Sequence, residues 1–234
     1  MIRLLILVFA MNASVAWSAD SEELAEQAHE VVRRTITQVM DRINENRHLY
    51  ESDKARFFWA LEDVLGPMVD FKRLTRMIMG KYYYDATKQQ RIRFARAFKR
   101  SLLSSYATGL IEFTDYEVRI LPPNEDFEHT LRNTMVDLEV VTPSGKVFPI
   151  TQSMYFHHSD RQWMAQNVIV NGINVGGLFR DQFEQLVHEN DGNIGGAIED
   201  WIEALKQKGR DLRKPKTVSD RSDAGVLSIH QLAS

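Results

Sequence analysis

The apolar residues of this chain change their spacing twice, and that change restricts the fold more than any other feature. Over residues 20–113 they recur every three or four positions, as on one face of a helix. From Tyr116 the period falls to two, and it stays there until Val170. Helical spacing then returns through Leu178, Phe179, Phe183, Leu186 and Val187, and again through Ile194, Ile198, Trp201, Ile202 and Leu205. A helical block, a strand block and a second helical block cannot form alternating strand–helix units. They predict an α+β domain, with one antiparallel twisted sheet packed against several helices.

Helix boundaries are written in the sequence. Asp20 with Glu23 has the form of a capping box, as has Thr87 with Gln90. Ser52 is expected to open a second helix that Gly66-Pro67 stops, and Asp70 to cap a short one that ends at Gly80. Four strands are expected, over 116–121, 131–141, 146–156 and 162–170. Pro122-Pro123-Asn124, Pro143-Ser144-Gly145 and His158-Ser159-Asp160 separate them, and Asn171-Gly172 ends the sheet. The helical parts are thus about 20–113 and 176–208, the sheet part about 114–175. Beyond Gly209 periodicity is lost, and 209–234 reads as a disordered charged tail.

The first residues carry a different message. Arg3 precedes an apolar run from Leu4 to Ala10, followed by small residues at Ala13, Ser14, Ala16, Ser18 and Ala19. The run is too short to span a bilayer and has the length of a signal-peptide core, with cleavage expected after Ser18 or Ala16. The mature chain of about 216 residues suffices for one domain, 19–208, and no later apolar run reaches spanning length, so it is expected to be soluble. Cysteine is absent, which excludes disulfides, thiol catalysis and thiol-linked lipid.

A net charge of −3 conceals an asymmetry. Between Lys72 and Arg100 lie ten basic residues, with Asp85 the single acid, so this stretch is +9 and the rest of the mature chain −13. Such a segment is either a solvated helix face or a surface that attracts anions, whether phosphate headgroups or an acidic partner. Nucleic acid does not suit an exported chain with an acidic remainder.

Signals for catalysis are weak. His157, His158 and Asp160 fall on an expected hairpin tip with no further ligand at metal spacing. No serine stands in a nucleophile elbow and no glycine loop has phosphate-cradling form. Asp115 and Glu117 could act as acid and base, although exposure on a strand explains them equally well. The chain reads as a protein without enzymatic activity, cofactor or metal.

One stretch carries a resemblance. Trp163-Met164-Ala165-Gln166-Asn167-Val168-Ile169-Val170-Asn171-Gly172-Ile173-Asn174-Val175, followed by Leu178-Phe179-Arg180-Asp181-Gln182-Phe183, resembles the signature of the MlaC / toluene-tolerance family. Asp70-Phe71, Gly80-Lys81, Thr87, Gln90, Phe94, Phe98, Leu102 and Tyr106 resemble it too, and the likeness spans about 25–207. Departures occur at Asn167, where many relatives carry aspartate, at Asn174, where serine is common, and at Phe179, where tyrosine is common.

The resemblance implies a periplasmic, monomeric phospholipid carrier working between an outer-membrane lipoprotein complex and an inner-membrane ABC transporter, and so maintaining outer-membrane lipid asymmetry. It also implies a deep apolar cavity between sheet and helices. Candidate lining residues are Met77, Ile78, Phe98, Leu102, Tyr106, Leu138, Phe148, Ile150, Met154, Phe156, Trp163, Ala165, Val168 and Phe183. All of these are equally compatible with plain core. A carrier of another hydrophobe, such as a hopanoid, and a periplasmic chaperone are the alternatives.

Overall fold

The computed structural model describes the backbone of residues 13–112 and 116–211, and the side chains of 20–50, 52–100, 102 and 116–204. The start of the expected leader, most of the tail and the Tyr106 side chain lie outside the described residues. The first helix, α1, runs Ala13–Asn46 without a break at Asp20. The expected start there is not made, because the small helix-compatible residues before it carry no Gly or Pro to interrupt propagation. After the single turn α2 (Leu49–Ser52), Asp53 rather than Ser52 opens α3 (Lys54–Leu65), its carboxylate accepting from the Arg56 N–H at 3.1 Å. Ser52 instead donates to the His48 carbonyl.

Gly66–Met68 form a 3₁₀ turn leading to α4 (Phe71–Met79), capped by Asp70 on the Arg73 N–H at 2.8 Å. The short α5 (Tyr82–Asp85) precedes α6 (Lys88–Glu112). The Thr87–Gln90 capping box closes reciprocally. The Gln90 side chain accepts from the Thr87 N–H at 2.8 Å, and Thr87 Oγ1 accepts from the Gln90 N–H at 3.2 Å.

The sheet has five antiparallel strands in sequential order, not four: β1 (Glu117–Ile120), β2 (Thr134–Val141), β3 (Val147–His157), β4 (Gln162–Val170) and β5 (Ile173–Asn174). The fifth exists because Asn171-Gly172 turns the chain instead of ending the sheet. Both residues take positive φ, 49° and 80°, as a two-residue hairpin of matching twist requires. Residues 131–133 leave the expected second strand because Thr130 and Asn133 close a turn through mutual backbone hydrogen bonds. Asn174 caps α7 (Val175–Glu189), and α8 (Ile194–Asp211) follows.

Helices cover one face of the sheet, and three clusters of buried side chains result. The N-terminal half of α1 lays Ala28 and Val32 on Val136, Leu138, Met154 and Trp163. Farther along, Val39 and Ile43 leave the sheet and meet Phe57 and Leu61 of α3. The largest cluster joins α4, α6, α7 and α8 around Phe94, Phe98, Phe179, Phe183 and Trp201, with Val170 beneath. Phe94 touches Phe183 and Trp201 edge to face, at ring separations of 4.9 and 5.3 Å. No described helix is long and apolar enough to cross a membrane.

Candidate apolar site

An irregularity in β4 makes the site possible. Ser153 pairs with Asn167 while its neighbour Met154 pairs with Ala165, so Gln166 is left over as a β-bulge. Strict alternation would send Trp163 and Ala165 to one face and Val168 and Val170 to the other. The extra residue reverses the phase, and all four point to the helix-covered side.

Where the three clusters approach one another the helices do not close completely. An apolar pocket of about 330 Å³ remains. Its floor is Ile150, Ala165, Val168 and Val170 of the sheet. Its walls are Leu61 and Leu65 of α3, Phe71, Leu74 and Ile78 of α4, Phe98 and Leu102 of α6, and Val175, Gly176 and Phe179 of α7. Val69 completes it, held beside β4 by a parallel bridge to Ala165. Gln166 and Asn167 supply the few polar atoms at one side.

Six of the candidates named from the sequence meet here: Ile78, Phe98, Leu102, Ile150, Ala165 and Val168. The others with described side chains go elsewhere. Leu138 and Met154 are buried against α1, and Phe183 sits inside the aromatic cluster. Phe148 is buried beneath the Lys146 ammonium, 4.9 Å from its ring centre. Phe156 and Trp163 border a second groove against Glu26, Gln27 and Glu30 of α1. Met77 lines a third, polar groove behind the pocket. Residues that reasoning from periodicity did not assign to a site include Val69, Val175 and Phe179. The signal in Leu61 and Leu65 was present, since four-residue spacing puts them on one helix face. Val69 gave none, because its place depends on a bridge to a strand far along the chain.

Charged groups frame the pocket rather than enter it. Lys99 of α6 reaches Glu62 of α3 at 2.5 Å and lies 5.2 Å above the ring of Phe71 of α4, tying three walls together. Lys81 pairs with Glu184 at 2.6 Å. That hydrogen bond raises the Lys81 pKa and lowers that of Glu184. Arg93 pairs with Glu199 of α8. The basic stretch is therefore partly neutralised across helices. On the opposite face Tyr155 donates to Asp70 at 2.5 Å, and burial followed by that contact pushes its phenol up to about 12.

Groups with catalytic potential are occupied structurally. Glu117 is clamped by Arg119 at 2.9 and 2.8 Å, and this holds its carboxyl below the usual range. Asp115 lies outside the described residues. His157 faces Asp160 at 3.1 Å within one hairpin, and among the described residues no three metal-ligating side chains converge.

The family model of the MlaC protein matches residues 33–206. The chain belongs to the MlaC protein family. Among the relatives of this MlaC-family chain is the toluene tolerance protein ttg2D of Pseudomonas putida, 34% identical over 197 residues, which make up 83% of this chain and 89% of that protein. Among solved structures, the phospholipid-binding protein of Ralstonia solanacearum, determined in complex with a phospholipid, superposes with a TM-score of 0.66. The match covers 80% of this chain and 99% of that one at 20% identity, a likeness of fold.

Proposed function

We propose that this MlaC-family chain is a periplasmic phospholipid carrier that takes lipid from one membrane complex and yields it to another, an outer-membrane lipoprotein assembly and an inner-membrane ABC transporter, and performs no chemistry. The observation that carries the reading is the pocket, apolar on sheet and helix sides alike, in a fold whose Ralstonia counterpart holds a phospholipid. Exposed surface hydrophobes and the polar grooves do not offer comparable apolar enclosure.

The energetics suit a carrier. Two sixteen-carbon tails contain roughly 30 methylenes, and at ~0.8 kcal/mol each their removal from water is worth more than about 20 kcal/mol. Such a value lies beyond the range of measured affinities. The lipid, however, leaves a bilayer and not water. Apolar surroundings replace apolar surroundings, the net change is small, and the protein both accepts and releases its cargo.

Mass spectrometry of an organic extract of the purified, denatured protein tests the reading. Stoichiometric phospholipid is the expected result, and Leu102→Trp, which fills the pocket, lowers the yield without lowering the melting temperature. A lipid-free extract, or recovery of a hopanoid in place of phospholipid, overturns it. Unfolding of the Leu102 variant with the ~1–3 kcal/mol cost of an overpacked core would place Leu102 in the core instead.

A further inference from the structure

We infer that the polar groove directly behind the pocket is an anion site for a phosphate mono- or diester, built on Arg73, Arg76 and Arg180. The groove holds about 730 Å³ and is lined by those three arginines with Asn133, Ser153 and Gln166, and no carboxylate lines it.

Arg73 and Arg76 differ from Lys81, Arg93 and Lys99 of the basic stretch in how they are held. Lys81, Arg93 and Lys99 are each fixed by a glutamate. Arg73 is fixed by an aromatic ring instead, its guanidinium 4.2 Å from the centre of Tyr155, and the Tyr155 hydroxyl is in turn anchored on Asp70. Arg76 lies 5.2 Å from the ring of Tyr84 and donates to its hydroxyl. The aliphatic stem of Arg180 passes beside Gly80, and its guanidinium has Asp181 at 3.5 Å and the charge of Glu184 nearby. Stacking restrains a guanidinium without cancelling its charge. Arg73 and Arg76, so restrained, and Arg180 beside them have further N–H donors for a planar or tetrahedral oxyanion.

The floor is built as well. Ser153, buried, donates to the Asn133 side-chain oxygen at 2.9 Å, and Gln166, the bulge residue, donates to Ser153 at 3.0 Å and to the Arg132 carbonyl at 3.1 Å. Gln166 and Asn167 also face the apolar pocket, so one layer of side chains divides the two spaces. The partition is tight. A Cβ on Gly176 would stand 2.4 Å from Met77 Cε and 2.6 Å from Asn167 Oδ1. A phosphate in the groove and an acyl chain in the pocket would be back to back. The anion is either a free phosphate or the headgroup of a carried lipid whose glycerol passes round the edge of this layer.

Titration of the purified chain with inorganic phosphate, read from the amide NMR signals of Asn133, Ser153 and Gln166, tests this before and after removal of lipid with detergent. A response in both states identifies a free-phosphate site. A response that appears only after lipid removal identifies the headgroup as the occupant. In either case Arg73→Gln/Arg76→Gln/Arg180→Gln weakens phosphate about tenfold or more, as loss of charge-assisted hydrogen bonds requires. The control Lys54→Gln/Lys88→Gln/Arg96→Gln, with the same net charge, keeps the response. No response in either state, or equal loss in the control, overturns the site. The headgroup arm rests on the lipid-carrying reading, whereas phosphate binding does not. Recovery of lipid from the extract is scored separately, so a failure of one is distinguishable from a failure of the other.

Discussion

Two of the positions where this chain departs from the family pattern turn out to be a single pair. Asn167 donates through its side-chain nitrogen to the Asn174 side-chain oxygen at 2.9 Å, and the same Asn174 oxygen accepts from the Gly177 N–H at 2.8 Å as the cap of α7. Asn167 accepts in return from the Gly176 N–H at 3.1 Å. With aspartate at 167 and serine at 174 the same geometry works in the other direction, since a hydroxyl donates to the carboxylate and still caps the helix. Asn167→Asp alone sets a carboxylate against an acceptor, and turning the Asn174 amide to relieve it removes the cap. That variant is expected to lose about 0.5–2 kcal/mol, the usual cost of a lost helix cap. Asn174→Ser added to it recovers most of the loss. Urea denaturation of the two singles and the double measures the coupling, and strict additivity would refute the pairing.

At the scale of elements, β4 decides where the pocket can be. Its bulge at Gln166 turns Val168 and Val170 to the same face as Ala165, and the two-residue strand β5 after Asn171-Gly172 delivers Val175, Gly176 and Phe179 to the pocket wall. Deletion of Gln166 alone leaves Val168 and Val170 there, since alternation from Ala165 resumes in phase. Deletion of Gln166 and Asn167 together shifts the phase by one and sends Val168 and Val170 to the outer face in exchange for Ile169. For the double deletion the expected outcome is a chain with strand content near normal by circular dichroism but no bound lipid and a clearly lowered melting temperature, and for the single deletion lipid is retained. Lipid retained by the double-deletion variant would show that the phase of β4 beyond Ala165 is dispensable.

For the molecule as a whole, volume is the limiting quantity. Roughly 30 methylenes, at the ~10–15 Å³ of accessible space that a water-sized unit takes, need on the order of 300–450 Å³, and the pocket offers about 330 Å³. Two tails therefore fill the pocket with little to spare, and their entry is expected to part the helices from the sheet. The Glu62–Lys99 contact over Phe71 spans the walls that must separate. Both partners are partly exposed, so the pair is worth no more than about 1 kcal/mol and yields readily. The absence of cysteine makes a covalent test clean. Glu62→Cys/Lys99→Cys joined by a short bis-maleimide is expected to block uptake of fluorescent phospholipid from vesicles, while the unjoined variant takes it up at least as fast as the parent. Equal uptake by both forms would place the moving wall elsewhere.

The sequence by itself determined the class of fold, because a hydrophobic period is a local property. A change from helical spacing to alternation at Tyr116 and back after Gly172 leaves an α+β arrangement, and Asp70, Thr87 and Gln90 mark helix starts through contacts within four residues. The pocket was beyond its reach for a physical reason. Ile78, Phe98 and Phe183 have the same pattern in the chain, yet the first two border open space and the third fills an aromatic core. That difference depends on how closely α3, α4, α6 and α7 approach a sheet whose phase is set by one unpaired residue. The arginines divide in the same way. Composition showed a basic stretch, but only the tertiary structure put glutamates beside Lys81, Arg93 and Lys99 and aromatic rings beside Arg73 and Arg76.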